Sequence, residues 1–166
     1  MAAVRDIIIL AAVMFALGIG FLTSYKVVNE TYDRLLGIES FNESTAAVEA
    51  VQGAKAATNR MDYVVFGVFV GMILGIMVTG WFLGGNAIFA FIYFLVVVIG
   101  VVLSTVIANT WETASQMSMF VTTLPAFPIT NNILLNLPIY IAVVGLLGMI
   151  VMFAKPAVTG GGNEFI

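Results

Sequence analysis

The side chains able to do chemistry are few, and most of them are gathered in one stretch. Six of the nine carboxylates (Glu30, Asp33, Glu39, Glu43, Glu49 and Asp62) and four of the six cations (Lys26, Arg34, Lys55 and Arg60) fall between positions 26 and 62. Clustered carboxylates can ligate a cation, but their spacing here matches no calcium loop, and a solvated, charged helix accounts for them. The chain has no His and no Cys. That removes the usual imidazole base, thiolate nucleophiles, disulfides, Cys/His zinc sites and His-ligated haem. No catalytic, cofactor-binding or metal residue is assigned, and the chain is read as a non-enzyme.

Within the apolar stretches the polar groups include the hydroxyls of Thr79, Ser104, Thr105 and Tyr140, each able to bond to a carbonyl of its own helix. A transporter or proton pump keeps ionisable groups or broken helices at mid-membrane, where its ion or substrate binds. Neither sign is read here, so a transport pathway is not expected. The aromatic residues Phe66, Phe69, Phe82, Phe89, Phe91, Tyr93 and Phe94 are read as lipid-facing or packing groups rather than a cofactor box.

The elements that must carry these residues follow from composition. With 61% hydrophobic and 9% charged residues, a water-soluble fold would lack the polar surface to cover its apolar bulk, so lipid is the expected solvent. Net charge is −3 with no basic cluster, which gives no footprint for nucleic acid. A span needs roughly 20 mostly apolar residues, and four segments qualify: 7–25, 63–83, 87–108 and 137–154. None contains Asp, Glu, Lys or Arg. In the third, fifteen residues are Ile, Leu, Val or Phe, contributing roughly −4 to −9 kcal/mol towards membrane partition. The fold class is therefore an all-α, polytopic transmembrane helical bundle with four spans. Segment 7–25 lacks the small-x-small pattern of a cleaved signal peptide and is read as a retained helix.

Gly84-Gly85-Asn86 joins the second and third spans and predicts an antiparallel hairpin. The polar loop 26–62 contains Ser40-Phe41-Asn42-Glu43, a capping box, followed by an Ala-rich run. A helix is therefore expected to start near Ser40 and continue straight into the second span as a rod. Loop 109–132, with Trp111, Met117, Met119, Phe120 and Phe127 around the single charge of Glu112, is too apolar for an aqueous loop. It is expected to lie on the membrane surface or to pack on a neighbour. The last span opens at Asn136-Leu137-Pro138, where Asn can cap and Pro occupies the first turn. Lys26, Arg34, Lys55 and Arg60 against Arg5 and Lys155 favour loops 26–62 and 109–132 inside and both termini outside.

Three stripes of small residues recur at intervals of four. Gly67, Gly71 and Gly75, continued by Thr79, mark the second span; Ala12, Ala16, Gly20 and Ser24 the first; Gly100, Ser104 and Ala108 the third. In lipid, where little hydrophobic force acts between helices, such stripes let backbones approach and supply the contact that holds a bundle together. Packing within the chain is preferred to a contact with a second copy.

A small apolar chain carrying one polar loop, a Gly-Gly-Asn hairpin and Leu124-Pro125-Ala126-Phe127-Pro128-Ile129-Thr130-Asn131 before a final span resembles the small polytopic membrane proteins of tailless icosahedral viruses with an internal lipid membrane. That resemblance covers the chain in outline and brings no catalytic or binding motif. It implies a place in the virion membrane beneath a capsid shell, with lipid and capsid-associated subunits as partners. The function expected is that of a structural membrane protein scaffolding a bilayer-associated assembly. An accessory subunit of a cellular membrane enzyme complex and a pore or holin-like protein are the alternatives.

Overall fold

The computed structural model describes residues 2–83 and 87–154. Eight α-helices and one 3-10 turn account for nearly all of them: α1 Ala2–Leu36, α2 Glu39–Asn42, α3 Thr45–Thr58, α4 Met61–Leu83, α5 Ala87–Ser115, α6 Ser118–Val121, the 3-10 turn Leu124–Ala126, α7 Pro128–Leu135 and α8 Leu137–Ala154. No strand occurs among the described residues. Three stretches, Ile8–Leu36, Thr45–Val78 and Phe91–Ser115, are each long and apolar enough to cross a membrane; the bent pair formed by α7 and α8 makes a fourth if it is counted as one span.

The helices are longer than the apolar segments alone predict. α1 runs 35 residues, about 52 Å at 1.5 Å per residue, so much of the expected polar loop is the continuation of the first span. Lys26 and Glu30, one turn apart on this extension, approach to 3.6 Å. Ser40 lies inside the one-turn α2 and starts no long helix. Ser44 takes the capping role instead, its Oγ accepting the Ala47 N–H at 3.4 Å and satisfying one of the free amides that open a helix. From there α3 and α4 form a nearly continuous rod, interrupted only at Asn59 and Arg60. α3 packs along the extension of α1, where the Lys55 ammonium lies 4.4 Å from the Tyr32 ring centroid. The polar stretch is thus a helical stalk continuous with two spans.

In the bundle, α1 packs on α4 and α5, and α8 packs on the same two helices. The order around the bundle is α1, α4, α8, α5. Among the described residues α4 and α5 lean on α1 and α8 far more than on each other; the turn expected to join them as an antiparallel hairpin, Gly84-Gly85-Asn86, lies outside the described residues. Glycines decide the neighbours. A Cβ at Gly145 or Gly148 of α8 would collide with Val97 or Tyr93 of α5, and one at Gly80 of α4 would sit 3.5 Å from the Gly148 carbonyl oxygen. These bare backbones let α8 approach both partners. Leu10, Met14, Leu22, Val65, Phe69, Val96, Val97 and Ile141 fill the interior.

Candidate functional site

The end of the bundle next to the stalk holds the densest polar constellation among the described residues, and it is built around α7. Pro128 opens this helix in its first turn, where the missing N–H is no loss. Asn136 closes it, and α8 departs at 72° to it. α7 therefore lies across the end of the bundle, touching α1, α4 and α5 and leading into α8. Phe127, Thr130, Ile133, Leu134 and Leu137 are buried. Over residues 109–132, expected as a single loop, α5 continues as helix to Ser115 and Trp111 is fully buried within the bundle, whereas Met117, Met119 and Val121 are exposed. The bend between α7 and α8 corrects the expectation that no broken helix occurs.

Asp62, in the first turn of α4, supplies the principal tie. Its side chain is 4% exposed. Its Oδ1 accepts the Thr130 N–H and the Thr130 hydroxyl, both at 2.7 Å, and its Oδ2 accepts the Ile129 N–H at 3.0 Å. The carboxylate thus caps α7 from another helix, satisfying two of the free amides at its N-terminus and meeting the positive end of its dipole. That helix end is the place where a broken-helix transporter receives an anionic substrate. Here the protein's own carboxylate occupies it.

Further ties hold the rest of α7. The Trp111 Nε1–H donates to Asn131 Oδ1 at 2.9 Å, and the indole meets Phe15 edge-on at 6.4 Å between centroids. Gly18 makes room for that ring: a Cβ there would lie 2.9 Å from Trp111 Cζ3 and 2.6 Å from Leu134 Cδ1. Tyr25 meets Phe127 edge-on at 5.4 Å. The Tyr140 hydroxyl donates to Asn132 Oδ1 at 2.9 Å, and the Asn136 amide donates to the Asn132 carbonyl at 2.9 Å. Tyr140 therefore reaches back to α7 rather than to a carbonyl of its own helix. Ser104 and Thr105 do bond to their own helix, both to the Val101 carbonyl.

This arrangement holds a helix in place. The three hydrogen bonds to the Asp62 carboxylate come from α7, and no group of three or more His, Cys, Asp or Glu suited to a metal ion occurs among the described residues. The void at the bundle centre, bordered by Leu10, Phe69, Ile76 and Val144, measures about 10 Å³, and apolar voids of that order stay dry.

The sequence-predicted stripes divide. Gly100, Ser104 and Ala108 are buried inside the bundle. Ala12, Ala16, Gly20 and Ser24 are exposed, as are Gly67, Gly71 and Gly75, and a Cβ built at Gly20, Gly67, Gly71 or Gly75 meets no atom within 4 Å. As faces for packing within the chain, the stripes on α1 and α4 are thus corrected: the chain's own helices turn them outward. The side chain of Thr79 lies outside the described residues. The glycines that do admit neighbours are Gly18, Gly80, Gly145 and Gly148. Asp62, Asn131 and Asn132 also escaped the sequence reading as site residues, although a carboxylate immediately before the second span, and a Pro opening a short apolar helix, were signals to be had.

No protein family, curated protein or solved structure matches the chain.

Proposed function

We propose that this chain is a non-enzymatic structural protein of a membrane, one that scaffolds a bilayer-associated assembly. The observation that carries this reading is the outward placement of the small-residue faces of α1 and α4. Small residues cost a helix lipid contact and are useful where another backbone comes close; since the chain's own helices leave Ala12, Ala16, Gly20, Gly67 and Gly71 uncovered, helices of other subunits are their fitting partners. The stalk would carry the contact beyond the bilayer. The virion membrane of a tailless icosahedral virus, with capsid-associated subunits above it, is the setting that the sequence resemblance implies. α7, lying across the end of the bundle, speaks against a pore through the single chain.

Native mass spectrometry of gently solubilised source membranes or particles tests the reading. It expects this chain to travel with other structural subunits and lipid. Recovery as a lone monomer would overturn it, and co-purification with metal-bearing redox subunits would replace it with an accessory role in an enzyme complex.

A further inference from the structure

The bend between α7 and α8 opens a groove on the side of the bundle, of about 340 Å³, between the start of α4 and the α7/α8 corner. Phe66, Phe69, Ile129 and Ile133 wall it, and Asn132 and Tyr140 stand in it. We infer that this groove seats the upper part of one acyl chain of a bilayer lipid, with the Asn132 amide donating to the ester carbonyl above it.

Three observations carry this. The first is depth. Phe66 and Phe69 lie about 6 Å and 10 Å along α4 from Asp62. Arg60, exposed and two residues before Asp62, and the charged stalk beyond it mark the water side, so the groove spans the level where ester groups give way to methylenes. The second is polarity. Asn132 is exposed, its Oδ1 is occupied by the Tyr140 hydroxyl, and its Nδ2 donates to no described residue, leaving a donor available to an acceptor from outside the chain. The third is charge. No Lys or Arg lines the groove, and the neighbouring Asp62 carboxylate is engaged by α7; recognition thus falls on the uncharged ester and chain rather than on an anionic headgroup. The volume is near the lower end of the roughly 300–1,000 Å³ of small-molecule sites, which suits a segment of one chain.

The test uses the full chain in nanodiscs of dioleoyl-phosphatidylcholine doped with a phosphatidylcholine carrying a diazirine high on one acyl chain. After irradiation, adducts are mapped by peptide mass spectrometry. Label per residue at Phe66 and Ile129 is expected to exceed that at Val98, Val102 and Val106, exposed positions of α5, by at least threefold. Ile129→Trp, which fills the groove, should abolish the excess; Asn132→Ala, which removes the amide donor together with the acceptor of the Tyr140 hydroxyl, should lower it at least twofold, while the control Tyr140→Phe, which breaks the same bond and keeps the amide, retains it. Uniform labelling of groove and α5 would overturn the inference. So would an excess untouched by both variants, or a severalfold preference for phosphatidylglycerol over phosphatidylcholine in a competition between the two lipids, which would place recognition on charge.

Discussion

Removing the Asp62 carboxylate should release α7 from the end of the bundle, and the size of the effect can be worked from its bonds. The Asp62→Ala variant strands three donors: the Thr130 N–H and hydroxyl, both buried, and the partly buried Ile129 N–H. A buried donor left without an acceptor costs about 1–3 kcal/mol. The hydroxyl can turn to another acceptor and the Ile129 amide can draw in water, so the full penalty falls on the Thr130 amide and the expected loss is about 3 kcal/mol. Asp62→Asn keeps one acceptor oxygen but sets an NH2 against an N–H and removes the charge that meets the α7 dipole, for a loss of about 2–3 kcal/mol. Thr130→Val removes one bond and strands nothing, and should lose about 1 kcal/mol. Glu49→Ala, at an exposed position of the stalk, is the control. Unfolding in nanodiscs gives the order, and acrylamide quenching of Trp111, which is fully buried and bonded to Asn131 of α7, reports whether α7 has moved. An Asp62→Ala protein that unfolds within about 0.5 kcal/mol of the Glu49→Ala control, the usual scatter of surface substitutions, with Trp111 still shielded, would refute the latch.

The glycines offer a paired contrast. Gly145→Ala places a methyl against the stiff, β-branched Val97 and should destabilise the monomer by about 1–3 kcal/mol through overpacking, measured by unfolding in detergent. Gly71→Ile, where nothing lies within 4 Å, should leave monomer unfolding unchanged within about 0.5 kcal/mol yet reduce recovery of the native complex; equal recovery would remove α4's outward face from the assembly. Trp111→Phe keeps most of the ring packing but leaves Asn131 Oδ1 without its donor, and a loss of about 1–2 kcal/mol is expected by the same unfolding assay. In the stalk, Tyr32→Leu removes the ring beneath the Lys55 ammonium and should lower local stability by no more than about 1 kcal/mol, read by hydrogen exchange of α3.

Fold class was legible in the sequence because a long apolar run without charges admits few structures besides a membrane helix. Which face each helix turns inward was not. On α4, valine, isoleucine, leucine and phenylalanine run around the whole circumference, so the 3.6-residue period that marks the buried side of a soluble helix carries no signal. The Gly67-Gly71-Gly75 register was readable, but its direction depends on where Gly80, Gly145 and Gly148 let backbones approach, and those positions gain meaning only when Tyr93 and Val97 are set against them in space.

The site was missed for a related reason. Asp62 reads as the last charge of a polar loop, and Asn131-Asn132 as loop residues between prolines, because along the chain Asp62 and Thr130 stand 68 positions apart. What joins them is an energetic demand: α7 ends its approach inside protein, where its first amides have no water to bond and require an acceptor from another element. A carboxylate placed one residue into α4 meets that demand at the boundary between stalk and span, where three donors replace the water that the carboxylate gives up on burial. The same bend that creates the demand leaves α7 and α8 at 72°, and so opens the lateral groove beside Phe66. The break, the latch and the groove thus have one physical origin, and a variant that straightened α7 into line with α8 would have to lose all three together.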